Sequence, residues 1–280
     1  DLDIAEREIV LTYLLRILSD AGLLDRLAFK GGTAIRKLYL GRTGRFSLDL
    51  DFSALGEATP DDLVLDLVEA LHDQTYYGIT FTIPSPDYYA NPNSCGAEIT
   101  YHHEWVTAGR LGVQISFRAR PLLPVRLTPL LRERYFDWME IEALDVPALD
   151  LHEIMGEKVR AAMQRSRVRD LYDLYQLAQR PYDRGLVRRI AVLKCWETRY
   201  AFEPDAFLSD LPSGRYDWAD LSRLVRRDRL APPDEIIRSV QQSYAFLAEL
   251  DPDEARLAAD PYGRERRVYR RLIQSLSGES

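Results

Sequence analysis

Cysteine is nearly absent from this 280-residue chain: Cys95 and Cys195 are too few and too far apart for a disulfide framework or a CxxC metal site, so both are expected to be packing residues. Long hydrophobic runs are missing too. No stretch of eighteen apolar residues occurs, and the opening DLDIAEREIVLTYLLRILSD is charged and helix-periodic, unlike a cleaved signal. A cytoplasmic protein without a membrane span is expected. Lysine is scarce, with Lys30, Lys37, Lys158 and Lys194 against thirty-three arginines. Between Phe46 and Gly109 there is no basic residue of either kind, against eleven acids. The net charge of −7 argues against a protein that coats nucleic acid unselectively, since that behaviour needs excess Lys and Arg. From Arg110 to Arg199 the balance reverses, to seventeen basic residues against twelve acids, and GRERRVYRR at 263–271 adds a further basic run. At 46% apolar residues the chain can bury the core of one large domain or two ordinary ones.

Residues 3–18 carry apolar positions at helical spacing and predict an amphipathic helix ending near Gly22. LLDRLAFK reads as a strand entering Gly31-Gly32, TAIRKLYL as a helix stopping at Gly41, and RFSLDLDF as a strand whose apolar and polar residues alternate. PDDLVLDLVEALHDQ is a helix opened by Pro60. YGITFTI, AEITYHHEWV and RLGVQISFRAR read as strands, with PSPDYYANPNSCG as a turn. From about Asp150 the pattern turns helical, through LHEIMGEKVRAAMQRSR, VRDLYDLYQLAQR and segments near 184–200, 217–229, 233–250 and 252–276. The expected fold is α/β (α+β), with a mixed-sheet domain over 1–147 and a helical domain over 148–280.

Strand alternation puts Asp49 and Asp51 on one face, with Cα atoms roughly 6.5 to 7 Å apart. Two carboxylates that close call for a cation, and a hard divalent ion such as Mg2+ takes carboxylate oxygens and completes its shell with substrate phosphates and water. Gly31 and Gly32, at a helix N-terminus, let backbone N–H groups and the helix dipole meet phosphate oxygens, with the Thr33 hydroxyl beside them. Ser47 falls on the aspartate face and can join the pocket. No GxxxxGK[ST] or GxGxxG motif is present.

The pattern KGGTAI…RFSLDLDF over 30–52, with EKVRAAMQRSRVRDLYDLYQL over 157–177, resembles the AbiEii/AbiGii toxin family, which includes the MenT toxins, within the polymerase-beta-like nucleotidyltransferase superfamily. The resemblance implies transfer of a nucleoside monophosphate from an NTP, with Asp49 and Asp51 as ligands of Mg2+ or Mn2+. It implies Gly32 and Thr33 on the triphosphate, and Lys158 and Asp173 as further active-site residues. Lys30, Gly31, Ser47 and Arg169 are counted with the nucleotide-binding set. A lysine ammonium aimed at a triphosphate would neutralise charge developing during transfer. On one continuous helix, Lys158, Arg165, Arg169 and Asp173 would share an arc of about 80°, but Ser166-Arg167 can break it. Superfamily members often carry a third carboxylate, and the corresponding place in RLGVQISF holds Gln114, an amide that cannot deprotonate a hydroxyl. Asp173, Glu98 or Glu104 then supplies the base, or metal alone activates the acceptor.

The family pattern further implies a toxin that extends the 3′ end of tRNA acceptor stems and blocks charging, a cognate antitoxin, and a place in phage defence. Arg118, Arg120, Arg165 and Arg167 are expected along the tRNA. Two alternatives stay open: modification of a protein or a small cationic molecule, and a non-catalytic nucleotide-binding module. His102 and His103 point to opposite faces of a strand and cannot share a metal. Tyr172 and Tyr175 flank Asp173, where they can stack a base or join the core.

Overall fold

The first helix, α1 (Leu2–Asp20), turns Leu11, Leu14, Leu15 and Leu18 inward, as its periodicity demands. The computed structural model describes residues 2–118, 120–139 and 142–276. Clustering divides the chain into two units. The first runs to Leu149 without the segments Thr43–Arg45 and Leu122–Pro124; the second comprises those two segments and the chain from Asp150 onward.

In the first unit a 3₁₀ turn, Leu23–Arg26, takes up half of the expected strand, leaving β1 as Leu27–Lys30. The glycine turn opens α2 (Gly31–Ala34), which continues as a π-helical turn, Ile35–Leu40, and stops at Gly41. β2 is Asp49–Ala54. The alternation over residues 45–48 is therefore not strand, and Ser47 lies ahead of the ladder. α3 (Pro60–Leu71) starts at a capping box in which Thr59 Oγ1 accepts from the Asp62 N–H and the Asp62 carboxylate accepts from the Thr59 N–H.

The remaining strands are β3 (Gln74–Tyr76), β4 (Ile79–Thr82), β5 (Tyr88–Asn91), β6 (Ser94–His103), β7 (Val106–Ser116), β8 (Arg126–Pro129) and β9 (Asp145–Ala148). β5 sits inside the segment expected to be a turn, and β8 and β9 have no counterpart in the sequence reading. They make one mixed sheet, in the order β3-β4-β6-β7-β2-β1-β9-β8, with β5 also on β6. The pairing of Phe29 with Ala148 carries the sheet past the expected Val146-Pro147 boundary.

Two adjacent rows across this sheet separate core from surface. Phe29, Phe52, Ile115 and Cys95 stand opposite one another on β1, β2, β7 and β6, and each is 0% exposed. One residue along, Lys30, Asp51, Gln114, Gly96 and Tyr89 form the next row, on the other face. Opposed residues share a face and neighbours alternate, so burying the first row puts the second on the opposite face, where Gln114 and Tyr89 are exposed, Lys30 and Asp51 half-buried and Gly96 buried.

The second unit is helical: α4 (Leu151–Gln164), α5 (Val168–Leu177), α6 (Arg184–Glu197), α7 (Pro204–Asp210), α8 (Trp218–Leu224), α9 (Pro233–Ser243), α10 (Pro252–Ala258) and α11 (Arg266–Leu276). α7 was not anticipated, and the expected 252–276 segment is two helices. α4 and α6 pack closely because Gly156 has no side chain: a Cβ there would lie 2.5 Å from Ile190 Cγ2. Lys194 bridges the same helices through Glu153 at 2.7 Å, and the Glu153 carboxylate also accepts from the Leu122 and Leu123 N–H groups.

A buried charge cluster ties α1 to α2. Glu8, 3% exposed, meets Lys37 at 3.0 Å and Arg36 at 3.2 Å. Burial pushes the Glu8 carboxyl up, but Lys37 and Arg36 outweigh it and hold the group below its ordinary value. Glu8→Gln would remove the carboxylate that both buried cations contact, at a cost of about 3–5 kcal/mol. Urea unfolding at pH 7 measures this, and a midpoint equal to wild type would mean that the cluster does not stabilise the fold.

Candidate active site

In the sheet unit, strand β1 delivers Gly31 to the end of its row with φ +77°, where an added Cβ would lie 2.3 Å from Asp51 Oδ2. Only glycine fits, on both counts. Across β2 the Gly112 N–H donates to Asp49 Oδ1 at 3.2 Å, and a Cβ on Gly112 would stand 2.7 Å from that oxygen. Each carboxylate therefore packs against a glycine, Asp51 on Gly31 of the turn and Asp49 on Gly112 of β7; Asp49 is exposed and Asp51 half-buried. Among the described residues no group of three His, Cys, Asp or Glu side chains is arranged to hold a metal ion. The pair nevertheless fits a hard divalent cation whose shell is completed by substrate oxygens and water, because both carboxylates line one open cleft.

Thr33 does something other than expected. It is 0% exposed, and its hydroxyl donates to the Asp49 carbonyl at 2.5 Å. That proton is committed to tying α2 to β2, so the Thr33 hydroxyl has none to offer a phosphate. Lys30 is half-buried and in register with Asp51. Gln114 stands directly across from Asp51 in the parallel β2–β7 ladder, so the amide does occupy the neighbouring-strand position. A cleft of about 380 Å³ opens over this face, lined by Asp49, Asp51, Gln114, Glu98, Asp87 and Tyr89. Glu98 also pairs with Arg110 at 2.5 Å on the exposed face.

In the helical unit α4 ends at Gln164 and α5 begins at Val168, so the continuous helix that would align Lys158, Arg165, Arg169 and Asp173 does not exist. Packing brings some of them together by another route. Asp170 and Asp173, three residues apart on α5, share a face. Lys158 Nζ lies 3.0 Å from Asp170 Oδ1 and 2.8 Å from Asp173 Oδ2. Arg45, which the sequence reading missed, forks onto Asp173 at 2.9 and 2.8 Å, and Arg165 pairs with Asp170 at 2.8 Å. Arg169 leaves the group and pairs with Asp220 at 2.7 Å. Arg118, Arg120 and Arg167 are exposed. Tyr172 is buried core.

Asp173 is 1% exposed with both oxygens engaged, which makes it an orienting carboxylate and a poor proton acceptor. Burial would lower the Lys158 pKa, but Asp173 and Asp170 raise it above its ordinary value, so the ammonium stays charged. For Asp170, burial pushes up while Lys158 and Arg165 pull harder and hold it at about 2, against an ordinary 3.8. A carboxyl held low in the folded state stabilises above its unfolded value and stops doing so as pH falls through the folded one. Asp170→Asn should then cost about 2 kcal/mol at pH 7, and the gap to wild type should close between pH values of about 4 and about 2. A gap independent of pH over that window, in urea melts of both proteins, would refute the ionic origin.

Three comparisons bear on this geometry. A family model described as nucleotidyl transferase AbiEii toxin, type IV TA system, matches residues 12–277. The solved structure of MenT4, a nucleotidyltransferase toxin from Mycobacterium tuberculosis, is 29% identical, with a TM-score of 0.82 over 98% of this chain and 93% of that one. An H. pylori protein described as a candidate nucleotidyltransferase is 21% identical, with a TM-score of 0.53 over 88% of this chain and 98% of that one, and shares the fold alone. A search among curated proteins returns no match. A family match over nearly the whole length, together with the glycine turn set against a strand-borne aspartate pair, leads to one conclusion: the chain belongs to the AbiEii family of nucleotidyltransferase toxins of type IV toxin–antitoxin systems.

Proposed function

We propose that this toxin transfers a nucleoside monophosphate from an NTP, bound with Mg2+ or Mn2+, to the 3′ end of the tRNA acceptor stem, and so blocks aminoacylation. The observation that carries the chemistry is the contact of Gly31 with Asp51, which sets phosphate-binding backbone against metal-binding carboxylates. A divalent ion at Asp49 and Asp51 would supply Lewis-acid neutralisation of the transferred phosphoryl group. The Gly31 and Gly32 turn would hold the outer phosphates, with Lys30 beside it. Lys158 and Asp173 enter on the family pattern: Asp173 orients Lys158, and the charged ammonium answers the triphosphate. Of the candidate bases, Glu98 is supported best, because it lines the aspartate cleft, whereas Asp173 is fully engaged and Glu104 lies outside that lining. Exposed Arg118 and Arg120 of the sheet unit, and Arg165 and Arg167 of the helical unit, are suited to tRNA phosphates.

Membership of a toxin–antitoxin family implies a cognate antitoxin, and a role in phage defence belongs to the same proposal. Among the described residues no helix is long and apolar enough to cross a membrane. One observation favours a second acceptor class. Asp49, Asp51, Asp87 and Glu98 all line the cleft, a concentration of acid that suits a small cationic substrate.

Labelled NTPs, supplied one at a time with total RNA, separate the two. Label in tRNA supports the proposal, and label confined to protein or small solutes overturns it. Asp49→Ala should lower transfer by roughly 10²–10³-fold and abolish growth inhibition with the fold intact. A fully toxic Asp49→Ala protein would remove the pair from the chemistry. Glu98→Gln should lower kcat by about 10²-fold with little change in KM for RNA, losing the acidic limb of the pH profile; an unaltered profile would leave activation to the metal.

A further inference from the structure

The cleft lies on one side of the aspartates only. Across the sheet face the row runs from Lys30, beside the Gly31 turn, through Asp51 and Gln114 to Gly96 and Tyr89. The cavity lining includes Gln114, Ala97, Glu98, Tyr88 and Tyr89 but no residue of the glycine turn. Phosphoryl transfer places the attacking oxygen and the leaving group roughly in line, on opposite sides of the transferred phosphorus. If the turn holds the outer phosphates that leave as pyrophosphate, the attacker must approach from the β7–β6–β5 side. The cleft is then the acceptor's side of the reaction.

Its chemistry narrows what can enter. Asp87 and Glu98 disfavour a phosphate there, whereas the terminal nucleoside of a strand with a free 3′-hydroxyl has its phosphate on the 5′ side only and presents a neutral base and ribose. Tyr89 is 42% exposed on β5, at the far end of the row. Between it and Gln114 the strand carries Gly96, buried and without a side chain to separate them: a Cβ there would lie 2.3 Å from the Val113 carbonyl. At about 4.8 Å per strand, Tyr89 lies roughly 14 Å from Asp51 across the sheet. A base set against Tyr89 can therefore leave its ribose near the metal pair. The volume of about 380 Å³ falls in the range of ligand clefts.

We infer that this cleft is the acceptor subsite, in which Tyr89 stacks the unpaired 3′-terminal base of the RNA, with Gln114 at its edge. The inference rests on the RNA reading above and adds where the RNA end sits and what reads it. In the step it serves, the 3′-oxygen forms a new bond to the α-phosphorus. The α–β bridging bond breaks, its electron pair leaves with pyrophosphate, and the hydroxyl proton passes to Glu98.

The test uses the full chain with labelled NTP and an acceptor-stem transcript in three forms: intact, abasic at the 3′-terminal nucleoside, and 3′-phosphorylated. Stacking of one base predicts that Tyr89→Ala raises KM for the intact RNA roughly ten-fold and that Tyr89→Phe restores most of it. The abasic RNA should show the same raised KM with wild type and with Tyr89→Ala, since the partner of the ring is already gone. The 3′-phosphorylated RNA should be neither a substrate nor an effective competitor. An intact-RNA KM that Tyr89→Ala does not shift, or a shift equally large with abasic RNA, overturns the subsite while leaving RNA transfer standing. If wild type labels none of the four ribonucleotides onto any RNA, the RNA reading falls and the subsite falls with it.

Discussion

Everything the sheet unit can do depends on one close approach, that of the Gly31 backbone to the Asp51 carboxylate. A left-handed φ and the absence of a Cβ allow the start of α2 to touch a side chain on β2, and Thr33 closes the same joint by donating to the Asp49 carbonyl. The N–H groups of the turn and the two carboxylates are thus held at one junction of strand, turn and helix. Gly112 repeats the device at Asp49 from the other neighbouring strand. The two carboxylates thus fill the space that side chains at Gly31 and Gly112 would take.

Charge is handled differently in the rest of the chain. Three of the scarce lysines are buried, each against carboxylates: Lys37 on Glu8, Lys158 on Asp170 and Asp173, and Lys194 on Glu153. Burial alone would penalise these ions; for Lys158 and Lys194 it would lower the pKa, and the facing carboxylates raise it above the ordinary value. The fourth, Lys30, stands in the row of the aspartates. Arginine meanwhile supplies most of the exposed positive charge, as suits a residue whose planar fork pairs with phosphate.

The departure at Gln114 and the acidity of the cleft fit together. Gln114 sets an amide beside Asp51, and acids further along the sheet face line the space beyond the pair. Under the proposed function, an acidic wall there would repel misplaced phosphate and admit a neutral nucleoside end. The same wall suits a small cation, which is why the acceptor class is decided by labelling and not by electrostatics alone.

The sequence by itself carried the reaction class, because that depends on local order: strand, glycine pair, helix and DxD strand lie within a short stretch, and alternation alone puts Asp49 and Asp51 on one face. It also carried the helical character of the second half through 3.6-residue periodicity. What it could not carry were relations made across distance. Ser47 looks like a strand residue by alternation, yet the ladder starts at Asp49, because pairing requires a partner strand and not a pattern. Lys158 meets Asp173 not along one helix but by folding of α4 against α5 after a break at residues 165–167, with Arg45 arriving from a segment far away in sequence. The row from Asp51 to Tyr89 exists only because β7, β6 and β5 take a particular register, and register is set by the buried face of the whole sheet.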